Sequence, residues 1–149
     1  MPTRTWIMAA DSSRGRVFEI EPDRRVREVE DFSNPKGRAN NRELASDANG
    51  RLSSKGNGRK AHSTGQKITP VEHETELFSK TLARYLEKAR SQRRYGKLYL
   101  IAPPEFLGLM RGNLSKEVRR VTAEEINKEL AWFDSRDLAR YVQPRQRRA

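Results

Sequence analysis

The side chains of this sequence best suited to chemistry are its cations. Arg51, Lys55, Arg59, Lys60 and Lys67 alternate with Gly50, Gly56, Gly58 and Gly65 in a stretch almost empty of apolar residues. Cationic side chains on a glycine-rich backbone can follow a phosphate chain and fold as they bind it. Arg84, Lys88, Arg93 and Arg94 continue the positive charge, and Arg145, Arg147 and Arg148 carry it to the end. A solvated surface loop would have the same local composition. The balance of the whole chain decides between them: 31 Lys and Arg against 20 Asp and Glu leave a formal net charge of +11. Such an excess repels itself in a compact state, and a polyanion relieves it while releasing counterions.

Other reactive types are few. There is no cysteine, which removes disulfides, thiolate metal sites and thiol nucleophiles. Asp11 follows the first apolar run, where a nuclease of the two-metal kind would place an acid. Its nearest rivals, Asp47 and Glu105, are scattered, so Asp11 reads first as the organiser of a turn through its own backbone contacts. His62 lies in the basic stretch and His73 beside Glu72 and Glu74. Neither has a third ligand or a nucleophile near it in sequence. Asn57-Gly58-Arg59-Lys60 follows no strand and lacks the glycine-to-lysine spacing of a phosphate loop. The reading is therefore no catalytic set, no metal and no cofactor.

These cations need a scaffold. Thr5–Ala10 is a short apolar run suited to a strand covered on both faces. Asp11–Gly15 supplies turn chemistry, and Arg16–Ile20 gives a second strand. Arg25–Phe32 alternates until Val29 breaks the period by one, which predicts a bulge or an edge strand. From Ser33 to Thr69 the pattern collapses into a polar segment that cannot offset its own ordering entropy, so a mobile basic loop is expected. Thr69-Pro70-Val71-Glu72 then starts a long amphipathic helix reaching about Gln92. Lys97–Ala102 is the most strand-like stretch, and Glu105–Arg111 is a short helix facing Phe106, Leu107 and Met110 inward. Between Val121 and Leu130 both periods fit. A last helix spans Leu138 to Val142, and Pro144 opens a basic tail. The apolar runs are too short to cross a bilayer or to serve as a signal peptide, so the cytoplasm is the expected location.

Several segments together resemble a bacterial family. They are Trp6–Asp11 with Arg14–Glu19, Leu44–Asp47 with Gly50-Arg51, Pro70–Glu74, and Leu98–Arg111 with its Ala102-Pro103-Pro104-Glu105-Phe106-Leu107-Gly108 core. Over residues 4 to 142 they look like proteins required for attachment to host cells. That family is grouped with relatives of the central domain of archaeal and eukaryotic peptide-chain release factors. The resemblance implies a ribonuclease H-like mixed sheet with a long helix behind a mobile loop. Release factors of that lineage present Gly-Gly-Gln on the loop, and Thr64-Gly65-Gln66 stands in the comparable place here. Thr64 replaces a glycine, and a β-branched residue disfavours the positive φ that glycine permits. Gly65 and Gln66 are accordingly expected to contact RNA rather than to catalyse.

The expectation is one α/β domain over 1–143 with a mixed sheet, an N-terminal antiparallel meander, a long helix and a mobile basic loop at about 33–69. A disordered basic tail, 144–149, would follow. The function expected is binding of ribosomal or transfer RNA on the ribosome, without enzymatic activity and without a membrane. The rival readings are an interaction protein that supports host attachment, and a peptidyl-tRNA hydrolase acting through Gly65-Gln66.

Overall fold

The computed structural model describes residues 4–37 and 69–148. Strand β1 is Thr5–Ala10, β2 is Arg14–Ile20 and β3 is Val26–Ser33. They form an antiparallel meander, as the sequence led us to expect. Helix α1 spans Pro70–Ser91, β4 Lys97–Ala102, α2 Pro104–Asn113, α3 Lys116–Val121, β5 Thr122–Asn127 and α4 Ser135–Arg148. Strands β4 and β5 run parallel to β1. The result is one mixed sheet in the order β3-β2-β1-β4-β5.

Both faces of that sheet are covered, and the pleat of β1 shows how. Trp6, Met8 and Ala10 point into a core completed by Leu82 and Leu86 of α1, Phe106 and Met110 of α2, and Val118 of α3. Ile7 and Ala9 point the other way, toward Leu138 and Val142 of α4. A strand buried on both sides must be apolar at every position, and the Trp-Ile-Met-Ala-Ala run meets that requirement. Each large side chain so buried contributes about 1.5–3 kcal/mol.

The break at Val29 is a bulge. Val17 pairs with Glu30 but Phe18 pairs with Glu28, which leaves Val29 as the extra residue of β3. The inserted residue moves the apolar set across the sheet. Val26 packs on the α4 side, whereas Val29 and Phe32 pack on the α1 side.

Three boundaries differ from the sequence reading. The segment expected to be loose from residue 33 is ordered as far as Gly37, because Pro35–Gly37 forms a short 3-10 helix. Asn34 anchors it by donating Nδ2 to the Ser12 carbonyl at 2.9 Å, and Lys36 lies 3.8 Å from Glu74 of α1. A Cβ built on Gly37 would stand 1.9 Å from the Ser12 oxygen, so only glycine fits there. The ambiguous region from Val121 to Leu130 holds strand β5, directly after helix α3. Ser115 caps α3 by accepting from the Val118 amide at 3.1 Å, and Thr122 opens β5. Finally, α4 does not stop at Val142 but continues through Pro144 to Arg148. Inside a helix a proline removes one amide donor and its ring crowds the carbonyl of the preceding turn, yet the helix runs past Pro144.

Both ends of α1 are closed by local chemistry. Thr69 accepts from the Glu72 amide at 3.1 Å while Glu72 accepts from the Thr69 amide at 2.9 Å, the capping box read from the sequence. At the other end Arg94 N–H reaches the Ala89 carbonyl and Arg93 N–H the Arg90 carbonyl, both at 2.9 Å. This is a Schellman closure. Its left-handed residue is Arg93, with φ 60°, where glycine is the usual occupant.

Candidate nucleic-acid interface

Of the residues singled out as RNA contacts, Arg51, Lys55, Arg59, Lys60, Gly65, Gln66 and Lys67 lie outside the described residues. The other four are on or just beyond α1. Lys80, Arg84 and Lys88 are spaced by four and therefore form one stripe. They line a groove of about 430 Å³ between α1 and the α2–α3 junction, with Ala83, Glu87, Asn113 and Ser115.

The polar walls of this groove are already engaged. Glu87 is held by Arg90 through hydrogen bonds of 3.1 and 2.9 Å and receives the Ser115 hydroxyl at 2.7 Å. The hydrogen bonds from Arg90 and then Ser115 hold the Glu87 carboxyl below the ordinary glutamate range. Asn113 donates to Ser79 Oγ at 2.9 Å and to the Leu109 carbonyl at 3.0 Å. Lys80 is loosely paired with Glu76 at 3.9 Å. Among the described residues no carboxylate lies within ion-pair reach of Arg84 or Lys88. These two cations are the ones a phosphate would meet.

Arg93 and Arg94 are used differently. Arg93 is exposed at the helix end. Arg94 lies over the ring of Trp6 at 5.1 Å and over Tyr85 at 5.8 Å, so part of its role is to cover a core aromatic.

A second polar cluster sits where the parallel strands end, and the sequence reading missed most of it. Asp11 is buried, and its Oδ1 accepts from Ser13 N at 2.8 Å, Ser13 Oγ at 3.1 Å and Arg14 N at 2.8 Å. That is the turn-organising role expected of it. Its other oxygen accepts from the indole Nε1 of Trp132 at 2.9 Å. Glu129, just past β5, also hydrogen-bonds it. Partial burial, then the hydrogen bond and charge of Asp11, push Glu129 up to about 7. Burial would raise Asp11 as well, but the hydrogen bonds from Glu129, Ser13 and Trp132 outweigh it and leave Asp11 below its ordinary value. One proton shared between two carboxyl groups explains both directions.

Two arginines fix the same corner. Arg14 lies over the Trp132 ring, 4.6 Å from its centre, and grips Asp31 through bonds of 3.1 and 2.8 Å. The buried Arg16 pairs with Glu28 and donates Nη1 to the carbonyl oxygens of Ala131, at 3.2 Å, and Phe133. The adjacent Trp132-Phe133 pair ahead of the Asp134 cap was the available signal: two large aromatics in a connection invite a functional question. Among the described residues no three Asp, Glu or His side chains gather as metal ligands would, so Asp11 and Glu129 stand as a pair.

The fold and these surfaces define a basic mixed α/β protein whose unpaired cations and exposed aromatics lie outside its core. The chain belongs to the family described as protein required for attachment to host cells, whose model matches residues 6–142. No curated protein matches it. No helix among the described residues is long and apolar enough to cross a membrane.

Proposed function

We propose that this member of the host-attachment family binds RNA without catalysing a reaction, with ribosomal or transfer RNA on the ribosome as its target. The observation that carries the reading is the Arg84–Lys88 stripe on α1, two cations without a carboxylate within ion-pair reach among the described residues, in a chain of net charge +11. Structural cations are normally paired. Cations left facing solvent in a self-repelling chain are the footprint of a polyanion site. The release-factor relation implied by the sequence resemblance points the same way, toward translation, and a mixed sheet followed by a long helix is compatible with it.

The test is fractionation of cell lysate on a sucrose gradient at low salt. The protein is expected with ribosomal particles, and the Arg84→Ala/Lys88→Ala double variant is expected to shift toward the free fractions. Migration of the wild type with free proteins at every salt concentration would refute the reading.

The family description favours a second reading, support of host-cell attachment. It is checked by comparing adhesion of a deletion strain complemented with wild type or with the double variant. If RNA binding underlies attachment, the double variant fails in both assays.

A further inference from the structure

We infer that Lys116, Arg119 and Arg120 of α3 form a second bank of phosphate contacts, and that the two banks together take a double-stranded RNA stem. This rests on the RNA-binding reading above and deepens it, naming the far side of the same groove and the form of RNA that fits it.

The first observation is the spacing and freedom of these charges. Positions 116, 119 and 120 are three and four apart, which puts them on one stripe of α3. Val118, on another side of the helix, is buried in the core that holds Leu82 and Leu86 of α1. Lys116, Arg119 and Arg120 are all exposed. Among the described residues no carboxylate lies within ion-pair reach of any of them. Three cations stand against a single acid in this helix, Glu117.

The second observation is position. The Ser115 hydroxyl, which caps α3 by accepting from the Val118 amide at 3.1 Å, also donates to Glu87 of α1 at 2.7 Å. Ser115 thus lines the groove whose α1 wall carries Lys80, Arg84 and Lys88. Lys116 is the next residue, so cations border the groove from two helices. The cap and buried Val118 fix the backbone that bears the second bank, which lowers the ordering cost of binding.

The third observation is what lies between the banks. None of the residues lining the groove is aromatic, so the bases of a single strand would find nothing there to stack on. Glu87 is held in the groove by Arg90, at 3.1 and 2.9 Å, and by Ser115. Its charge repels a phosphate that enters the groove itself. A strand threaded along the groove would meet that carboxylate. A duplex keeps its bases inside, is recognised by shape and backbone, and offers phosphates from two strands to cations on either side.

The test compares full-length wild type with Lys116→Gln/Arg119→Gln/Arg120→Gln, in which glutamine keeps the helix propensity and removes the charge. Fluorescence anisotropy would follow three labelled probes: an RNA hairpin with a fully paired stem, an unstructured RNA of equal length, and polyglutamate. For the hairpin, the triple variant is expected to bind about a hundredfold more weakly at ~100 mM salt, with the salt slope flattened by about two to three units. Its loss should add to that of Arg84→Ala/Lys88→Ala in the combined variant, since the two sets meet different phosphates. The unstructured RNA should change by less than about threefold in the triple variant, because one strand can follow the α1 bank alone.

Unchanged hairpin affinity and slope in the triple variant overturn the second bank and leave the RNA reading standing. Equal losses for hairpin and unstructured RNA overturn the duplex assignment. Polyglutamate bound as tightly as the hairpin, and weakened as much by the triple variant, overturns it in favour of an acidic protein. If the triple variant does not fold, Arg119→Gln/Arg120→Gln decides by the same comparison, with a slope change of about two units expected. Failure of the wild type to bind either RNA removes the RNA reading and the second bank together.

Discussion

The two tryptophans of this chain are held by the same device and put to opposite use. Trp6 donates its indole N–H to buried Glu19 at 3.0 Å and carries Arg94 over its ring at 5.1 Å. Trp132 donates to buried Asp11 at 2.9 Å and carries Arg14 at 4.6 Å. Trp6 is 1% exposed, with Tyr95 stacked 4.7 Å and Tyr85 6.0 Å away by ring centres. Trp132 is 47% exposed. A carboxylate and a guanidinium are enough to orient an indole. What surrounds them decides whether the ring fills a core or faces outward.

The largest expected effect separates the two rings by stability. Trp6→Ala leaves a cavity in the α1 side of the core and removes the indole donor to Glu19, which keeps Arg27 at 3.7 Å, and should cost about 3–5 kcal/mol in urea unfolding. Trp132→Ala removes a ring that is half in water and should cost about 1 kcal/mol or less. Similar losses for both would make Trp132 a core residue and end the contrast.

A second break point is the turn that supports Asp11. Gly37→Ala would drive a methyl group to 1.9 Å from the Ser12 carbonyl oxygen, which belongs to backbone and cannot swing aside. We expect a loss of about 1–3 kcal/mol and a change in Trp132 emission, because Ser12 adjoins Asp11. Trp6, near the opposite end of β1 from Asp11, should not report it. An alanine variant as stable as the wild type would contradict this packing.

The third effect is a pH response confined to one tryptophan. Glu129 has an ordinary value of 4.5 and is raised to about 7 beside Asp11. A raised value means that the folded state favours the protonated form. The Glu129–Asp11 bond is therefore complete below about 4.5, and it is lost as pH climbs through about 7. Asp11 moves the other way: its contribution is present above the ordinary 3.8 and disappears as pH falls below that. Glu129 is largely exposed, so water screens the pair and its weight in global stability is small. Trp132 emission should nonetheless titrate with a midpoint near 7. Glu129→Gln, which keeps a donor toward Asp11, should abolish the transition, and persistence of the transition in that variant would exclude the pair as its source.

The smallest effect concerns Arg93. Its left-handed φ of 60° costs a side-chain-bearing residue about 1 kcal/mol relative to glycine. Arg93→Gly should raise stability slightly. If Arg93 also meets phosphate, the same variant should weaken RNA binding modestly, and a gain in stability with no change in binding would limit its role to the helix end.

Much of the scaffold was legible because it obeys local periodicity. The unbroken apolar run of β1, the slipped Val29 and the Thr69–Glu72 capping box each write their structure within a few residues. Residues 121–130 were not, since Val121, Ala123 and Glu125 alternate while Val118, Val121, Ile126 and Leu130 sit near helical spacing; the chain forms β5 there, over Thr122–Asn127. Pro144 was read as a stop, as the clash of its ring with the preceding turn ordinarily dictates, but α4 continues past it. The Asp11 corner was half legible. Its turn is local, but its contact with Trp132 spans 121 positions, and Arg16 reaches Phe133 across 117. No period in the sequence announces such a meeting. The cations Arg84 and Lys88 were recognisable from their spacing of four, whereas the covering of Trp6 by Arg94 depends on where β1 lies beneath the helix end.

The claim that the unpaired cations of this protein face RNA is tested most directly by the salt dependence of its affinity. Fluorescence anisotropy of a labelled structured RNA with purified protein, between about 50 and 200 mM salt, should show binding weaken by orders of magnitude if six or more phosphates are neutralised. Arg84→Ala/Lys88→Ala should flatten the slope of log affinity against log salt by about two units. An affinity that does not change with salt, or a slope the double variant leaves untouched, would contradict the account.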